Sequence, residues 1–192
     1  MTPDDLPTVV AGDVFCVLPW VSLATTVDGV WGRCCFDATN DHDHYYQQAS
    51  EPRFVLHDDA IGCLPLSRYA ADNPERVFGI VEAFNAPGLR RTRLQMLAGE
   101  RPAACRHCYL LDDAGTASHR QRMNDLFKDR VDTAALVRRT EHDGWLDTFP
   151  FHLDIRLGNA CNLRCIMCSY PVSSRWARDE APTWARAHID PY

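Results

Sequence analysis

Three cysteines fall within one short run, Cys161-Asn162-Leu163-Arg164-Cys165-Ile166-Met167-Cys168. Intervals of three and then two residues gather three thiols on a single loop. Thiolates are the usual ligands of iron–sulfur clusters, and three of them on a four-iron cluster leave one iron open to a ligand from outside the protein. Zinc accepts the same donors, although a structural zinc usually closes its shell with a second Cys-x2-Cys pair. Inert packing of small apolar side chains is the third reading.

A second group is spread along the chain as Cys16, Cys34 and the pair Cys105 and Cys108, with Gly29 five positions before Cys34. A hairpin turned at Asp28-Gly29 would set its two arms side by side, so that Cys16 and Cys34 meet. Cys105 and Cys108 would add two more thiolates. Four protein ligands close a cluster, which suits it to electron transfer or to a structural role, and the same four would hold zinc. Cys35 competes with Cys34, because neighbours on a strand face opposite ways. Cys63 matches neither group and reads as a buried, unreactive thiol. His42 and His44 read as solvated loop, and His107 as turned away from its neighbouring cysteines or hydrogen-bonded to a cluster sulfide.

The elements that must carry these residues form an α+β pattern. Residues 15–36 alternate as a β-hairpin about Asp28-Gly29. Residues 37–60 have no sustained period and read as a long loop with a short strand near Phe54. Asn73 and Pro74 then open a helix through Val77, Ile80, Val81 and Phe84. A second helix fits 89–98 with Gly99 as its stop, and a third follows Thr116 or Ser118 and bears Met123, Leu126 and Phe127. Further helical stretches are expected at 133–141, 173–178 and 182–188. The run 152–157 reads as a strand leading directly into the cysteine loop.

Nine cysteines in 192 residues are many, and they are clustered and odd in number. In a reducing compartment that pattern favours metal ligands over disulfides. The formal charge is −6, with no run of Lys or Arg, so the basic footprint of a nucleic-acid binder is missing. The apolar run from Val14 stops at Pro19, too short for a membrane span, and nothing at the start reads as a secretory signal. A cytoplasmic address is the expectation.

The Cys-x3-Cys-x2-Cys loop after a strand resembles the signature of the radical S-adenosylmethionine (SAM) superfamily. Cys16, Gly29, Cys34 and Cys105-x2-Cys108 resemble the auxiliary-cluster pattern of its SPASM and twitch domains. Cys16-Val17-Leu18-Pro19-Trp20, Phe84-Asn85 and Cys105 to Tyr109 add to the likeness, which covers most of the chain. Met167 stands where relatives often carry an aromatic residue. The further cysteines of a full SPASM domain are missing after Cys108, so a single twitch-like auxiliary cluster is expected.

The resemblance implies that Cys161, Cys165 and Cys168 hold a [4Fe-4S] cluster. Its open iron would bind SAM, and one electron would cleave SAM to a 5′-deoxyadenosyl radical. It implies an auxiliary [4Fe-4S] cluster on Cys16, Cys34, Cys105 and Cys108, an electron donor such as a ferredoxin or flavodoxin, and, by analogy, a peptide substrate. The expected organisation is a twitch-like domain over 1–130, a linker helix over 131–150, and the start of a radical SAM (β/α) partial barrel over 151–192. A barrel of about six βα units needs on the order of 180 residues. The chain therefore reads as the N-terminal portion of a larger enzyme, expected to be inactive alone. The competing class is a non-catalytic zinc or iron–sulfur binding module acting in assembly or interaction.

Overall fold

Asp28-Gly29 turns the chain as the sequence predicts. Gly29 adopts φ 75°, in the left-handed region that glycine enters without steric cost. Thr26 N donates to Val30 O at 2.9 Å and Gly29 N to Thr26 O at 3.0 Å, which closes the turn. The arms are β1 (Ser22–Thr25) and β2 (Val30–Gly32), antiparallel, with Ala24 opposite Gly32 and Thr25 opposite Trp31. They are shorter than expected. The stretch before Ser22 is a single helical turn, α1 (Leu18–Val21), because Pro19 has no N–H for a ladder but suits the first turn of a helix.

These elements belong to a computed structural model that describes residues 12–37, 56, 60–67, 69–156, 158, 160–166, 168 and 173–176. The short strand expected near Phe54, His42, His44 and the helix at 182–188 lie outside the described residues. The chain is α+β. A third strand, β3 (Gly62–Cys63), pairs antiparallel with β2, and β4 (His152–Asp154) pairs parallel with β1, so the sheet runs β3-β2-β1-β4. Parallel neighbours need a long crossover. Here the crossover is helical: α2 (Ile80–Phe84), α3 (Pro87–Leu97), α4 (Arg106–Asp113), α5 (His119–Phe127) and α6 (Thr133–Arg139).

The helix expected to open at Asn73 and Pro74 starts later than the sequence reading placed it. Residues Pro74–Arg76 form one 3-10 turn, and Val77 then bridges to Cys63, so α2 begins only at Ile80. Asn73 is drawn away from capping: its side chain accepts from Leu56 N at 3.1 Å and donates to Tyr69 O at 2.7 Å. Ser118 rather than Thr116 caps α5, accepting from Gln121 N, and Asp132 caps α6 through Ala135 N at 2.8 Å. Beyond β4, Thr25 Oγ1 takes over from the ladder, donating to Arg156 O and accepting from Arg156 N.

The core joins the sheet to the helices. Phe15, Trp20, Leu23 and Trp31 pack with Phe84, Leu89, Met96 and Leu146. Both indoles find partners, Trp20 Nε1 donating to Thr140 Oγ1 at 2.8 Å and Trp31 Nε1 to Phe78 O at 2.9 Å, as buried tryptophans must. Arg93 of α3 is fully buried beside them and reaches three segments, donating to Pro19 O, Phe84 O, Asn85 Oδ1 and Gly144 O at 2.8–3.0 Å. Gly144 has φ 84°, and a Cβ there would lie 2.5 Å from Arg90 O, so this close approach requires glycine. No helix among the described residues is long and apolar enough to cross a membrane.

Candidate metal centres

Cys16 lies in the segment just before α1, and α5 grips the backbone on both sides of it. Phe15 O accepts from Arg120 Nη1 at 2.8 Å and from Asn124 Nδ2 at 2.9 Å, while Val17 N donates to Asn124 Oδ1 at 2.8 Å. Arg120 and Asn124 are four residues apart and so share a helix face. Cys34 follows β2, in a loop pinned to α3. Arg33 donates to Asp37 Oδ2 at 2.7 Å, to Thr92 Oγ1 at 2.6 Å and to Gly88 O at 3.1 Å, and both charges of the Arg33–Asp37 pair are buried. Cys105 ends a 3-10 turn and stands as the N-cap of α4, with Cys108 in that helix's first turn. Free N–H groups at a helix start favour anionic sulfur.

These four thiols share one neighbourhood. Burial pushes the Cys16 thiol up to about 12, and the charges of Cys108 and Asp112 add to that while Arg120 opposes it. Burial also lifts Cys34 well above the ordinary thiol range, with Asp37, Cys16 and Cys105 adding to the effect. Cys105 is raised by burial and then by Cys16 and Asp37, against Arg33. Tyr109 follows the same pattern, raised by burial and then by Cys105 and Cys16; its hydroxyl donates to Val14 O at 2.8 Å. All four cysteines are free thiols.

Four soft donors without disulfides, Cys16 and Cys108 buried and Cys34 and Cys105 partly buried, fit a thiophilic metal, whose positive charge would relieve the mutual repulsion of the thiolates. They are not a finished shell. Among the described residues no group of three or more His, Cys, Asp or Glu side chains is already arranged to hold a metal ion. Loading would therefore draw the thiols together, in the way metal binding couples to local ordering.

Cys34 and Cys35 have different neighbours in the turn that follows β2. Cys35 Sγ lies 3.7 Å from His119 Nε2, and the His119 ring packs on Phe36 with centroids 4.9 Å apart. Cys35 is raised by burial and then by Asp154, with Cys108 the weakest of its charged neighbours. His119 is lowered by burial and then by Arg122 and His152. The geometry thus favours Cys34 for the four-thiol group.

The second candidate centre follows β4. Cys161 and Cys168 are half-buried and Cys165 is exposed. The loop is folded back by residues 173–176. Ser174 Oγ accepts from Cys161 N at 3.0 Å and donates to Cys161 O at 3.1 Å, Ser173 Oγ donates to Leu163 O at 3.1 Å, and Trp176 Nε1 donates to Cys165 O at 3.1 Å. The Arg164 guanidinium lies 4.6 Å over the Trp176 ring. Cys168 N donates to Cys165 O at 2.9 Å, a tight turn between the last two cysteines. Ile166 is 99% exposed. Met167 lies outside the described residues.

Compared with protein-family models, curated proteins and solved structures, the chain matches none. The site residues that sequence reasoning missed are Arg120, Asn124, Asp112, the Arg33–Asp37 pair, and Ser173, Ser174 and Trp176. Only Arg33, immediately before Cys34, carried a signal, since a cation next to a thiol is a chemical hint. Cys63 is fully buried in β3, packed near Val30, Leu56 and Ala60, and His107 is exposed.

Proposed function

We propose that the chain carries the two iron–sulfur sites of a radical SAM enzyme. The observation that carries this reading is the Cys161, Cys165, Cys168 triplet, spaced for three thiolate ligands on a loop that directly follows strand β4. Three protein ligands leave a place for an exogenous molecule, which a purely structural centre does not need. The cluster, when bound with SAM, supplies the radical chemistry. The chain's own part is to present the ligands. Ser174 fixes the backbone at Cys161 through both its N–H and its carbonyl, Trp176 fixes it at Cys165, and the bond from Cys168 N to Cys165 O sets the last pair.

Cys16, Cys34, Cys105 and Cys108 are proposed to hold an auxiliary [4Fe-4S] cluster, closed by four ligands and suited to relaying an electron. A one-electron donor of the ferredoxin or flavodoxin class and a peptide substrate belong to the same proposal. A second reading, a non-catalytic zinc or iron–sulfur binding module, is favoured by one feature: four cysteine thiols in one neighbourhood are also a zinc signature.

The test is anaerobic reconstitution with iron and sulfide, metal analysis, and electron paramagnetic resonance of the reduced protein with and without SAM. Two four-iron clusters give about eight irons per chain. SAM should alter one signal only, the one that Cys165→Ser removes. Zinc in both groups with no cluster signal would instead establish the binding module.

A further inference from the structure

The pair Arg120 and Asp112 stands against the four-thiol group and has no place in the motif that identified it. Its geometry is specific. The guanidinium is buried, and it donates from Nε at 2.9 Å and Nη2 at 2.7 Å to a single oxygen, Asp112 Oδ2, and from Nη1 to Phe15 O, the carbonyl next to Cys16. It also lies 5.7 Å over the ring of Tyr109, the residue next to Cys108. One cation therefore touches the chain beside two of the four thiols. The other carboxylate oxygen, Asp112 Oδ1, is buried and meets no hydrogen-bond donor among the described residues, although the Asp112 side chain is only 9% exposed.

Beside neutral thiols the arginine serves its pair with Asp112 and the Phe15 carbonyl and gains little from the sulfurs. Once the thiols are thiolates on a metal, the centre carries excess negative charge in a buried place, and a fixed cation becomes worth more than it is in the metal-free fold. Asp112 aims and anchors that cation, and its unpaired oxygen works against the same thiolates. Both features together suit a neighbourhood tuned for a negatively charged centre.

We infer that Arg120 is a positioning residue of the four-cysteine centre, holding a compensating positive charge against its thiolates, and that Asp112 sets the guanidinium's orientation while moderating the charge it delivers. The inference rests on the proposed four-cysteine metal site and concerns only how that site retains its metal. It adds Arg120 and Asp112 to residues that otherwise consist of cysteines alone.

The test uses the full chain with Cys161, Cys165 and Cys168 replaced by serine, titrated with Co(II) alone, and reads thiolate-to-cobalt charge-transfer absorption. Arg120→Gln should weaken Co(II) binding by about tenfold, the scale set by losing one opposite charge beside a buried ionised group. Arg120→Lys keeps the charge but loses the planar fork, and should stay within about threefold of the parent. Asp112→Asn should bind as tightly or more tightly, because it removes a negative charge and turns an unpaired acceptor into a donor.

A purely structural clamp predicts a different order, with all three variants weakened alike. That result, or unchanged binding in Arg120→Gln, overturns the inference. If Arg120→Gln does not fold, Asp112→Asn decides alone, weaker binding overturning the inference and equal or tighter binding supporting it. Failure of the parent to bind Co(II) at all, or binding that survives Cys16→Ser with Cys108→Ser, would instead remove the four-cysteine site itself.

Discussion

Cys16, Cys34, Cys105 and Cys108 come from three separate stretches of chain, and the contacts that place them cross the molecule. Asn124 and Arg120 reach from α5 to the backbone around Cys16, and Arg33 reaches α3 from beside Cys34. Cys161, Cys165 and Cys168 come from one loop, and hydrogen bonds from residues 173–176 hold it. The first group exists only when the tertiary fold exists. The second is set by its own short sequence and by a few nearby side chains. A global insult should therefore destroy the first group and leave much of the second.

The largest test of that contrast is Arg93. Its guanidinium is 0% exposed, burial has pulled it down to about 9, and its hydrogen bonds go to neutral oxygens from Pro19, Phe84, Asn85 and Gly144. At neutral pH it stays charged and satisfies them all. Arg93→Met leaves several buried acceptors without donors, at an expected cost of about 4 kcal/mol. Calorimetry should show the melting midpoint falling by about 8–16 °C for a chain of this size. Alkylation of Cys16 and Cys105 should accelerate in parallel, while that of exposed Cys165 changes little. A loss under about 1 kcal/mol would refute the role given to Arg93.

The next test sharpens the contrast by pH. Cys16 titrates at an ordinary 9.0 when unfolded and at about 12 in the metal-free fold, because burial disfavours the thiolate. Between those values the unfolded chain binds fewer protons than the folded one, so stability falls as pH rises. The contribution is fully present below pH 9.0 and is lost by about pH 12. For Cys16 alone it is on the order of 4 kcal/mol. Urea titrations of the metal-free chain at pH 8 and pH 10.5 should show about half of this loss, and Cys16→Ala should remove that share while Cys34 and Cys105 keep theirs.

Much of this was legible in the cysteines and little in what surrounds them. The turn at Asp28-Gly29, the α+β pattern and the strand ahead of the cysteine loop follow from local signals of period, glycine and caps. The shortened hairpin did not follow, because alternation across residues 15–21 looks the same for a strand as for a buried stretch broken by Pro19. Val77 was misplaced for a related reason: helical spacing cannot reveal that Cys63 offers it a bridge. Arg120, Asn124 and Asp112 were invisible, since a polar residue on a polar helix reads as solvent-facing until the tertiary packing is known. The choice between Cys34 and Cys35 was posed by sequence; in the fold Cys34 has Cys16 and Cys105 as charged neighbours, whereas Cys35 meets His119. Accordingly Cys34→Ser should lower metal retention by the four-thiol group at least about tenfold, whereas Cys35→Ser should leave metal content unchanged. Equal losses from both substitutions would return the question to open.

The smallest effect is the most discriminating, because it pairs two matched substitutions. Asn124 and Ser174 each make two hydrogen bonds to the backbone beside a candidate ligand, Asn124 at Phe15 and Val17, Ser174 at Cys161 itself. Replacing either with alanine deletes the same number of bonds. Asn124 ties α5 to the core segment that carries Phe15 and Trp20, so its loss strands buried backbone groups and should cost about 2 kcal/mol of global stability. Ser174 ties a partly exposed loop to one turn of helix, and water can replace its bonds. Ser174→Ala should cost about 1 kcal/mol locally, raise amide exchange at Cys161 by roughly fivefold, and leave the melting midpoint within about 2 °C. If Ser174→Ala instead lowered the midpoint as far as Asn124→Ala does, the loop would be unfolding with the core as one cooperative unit, and the two cysteine groups would share one scaffold.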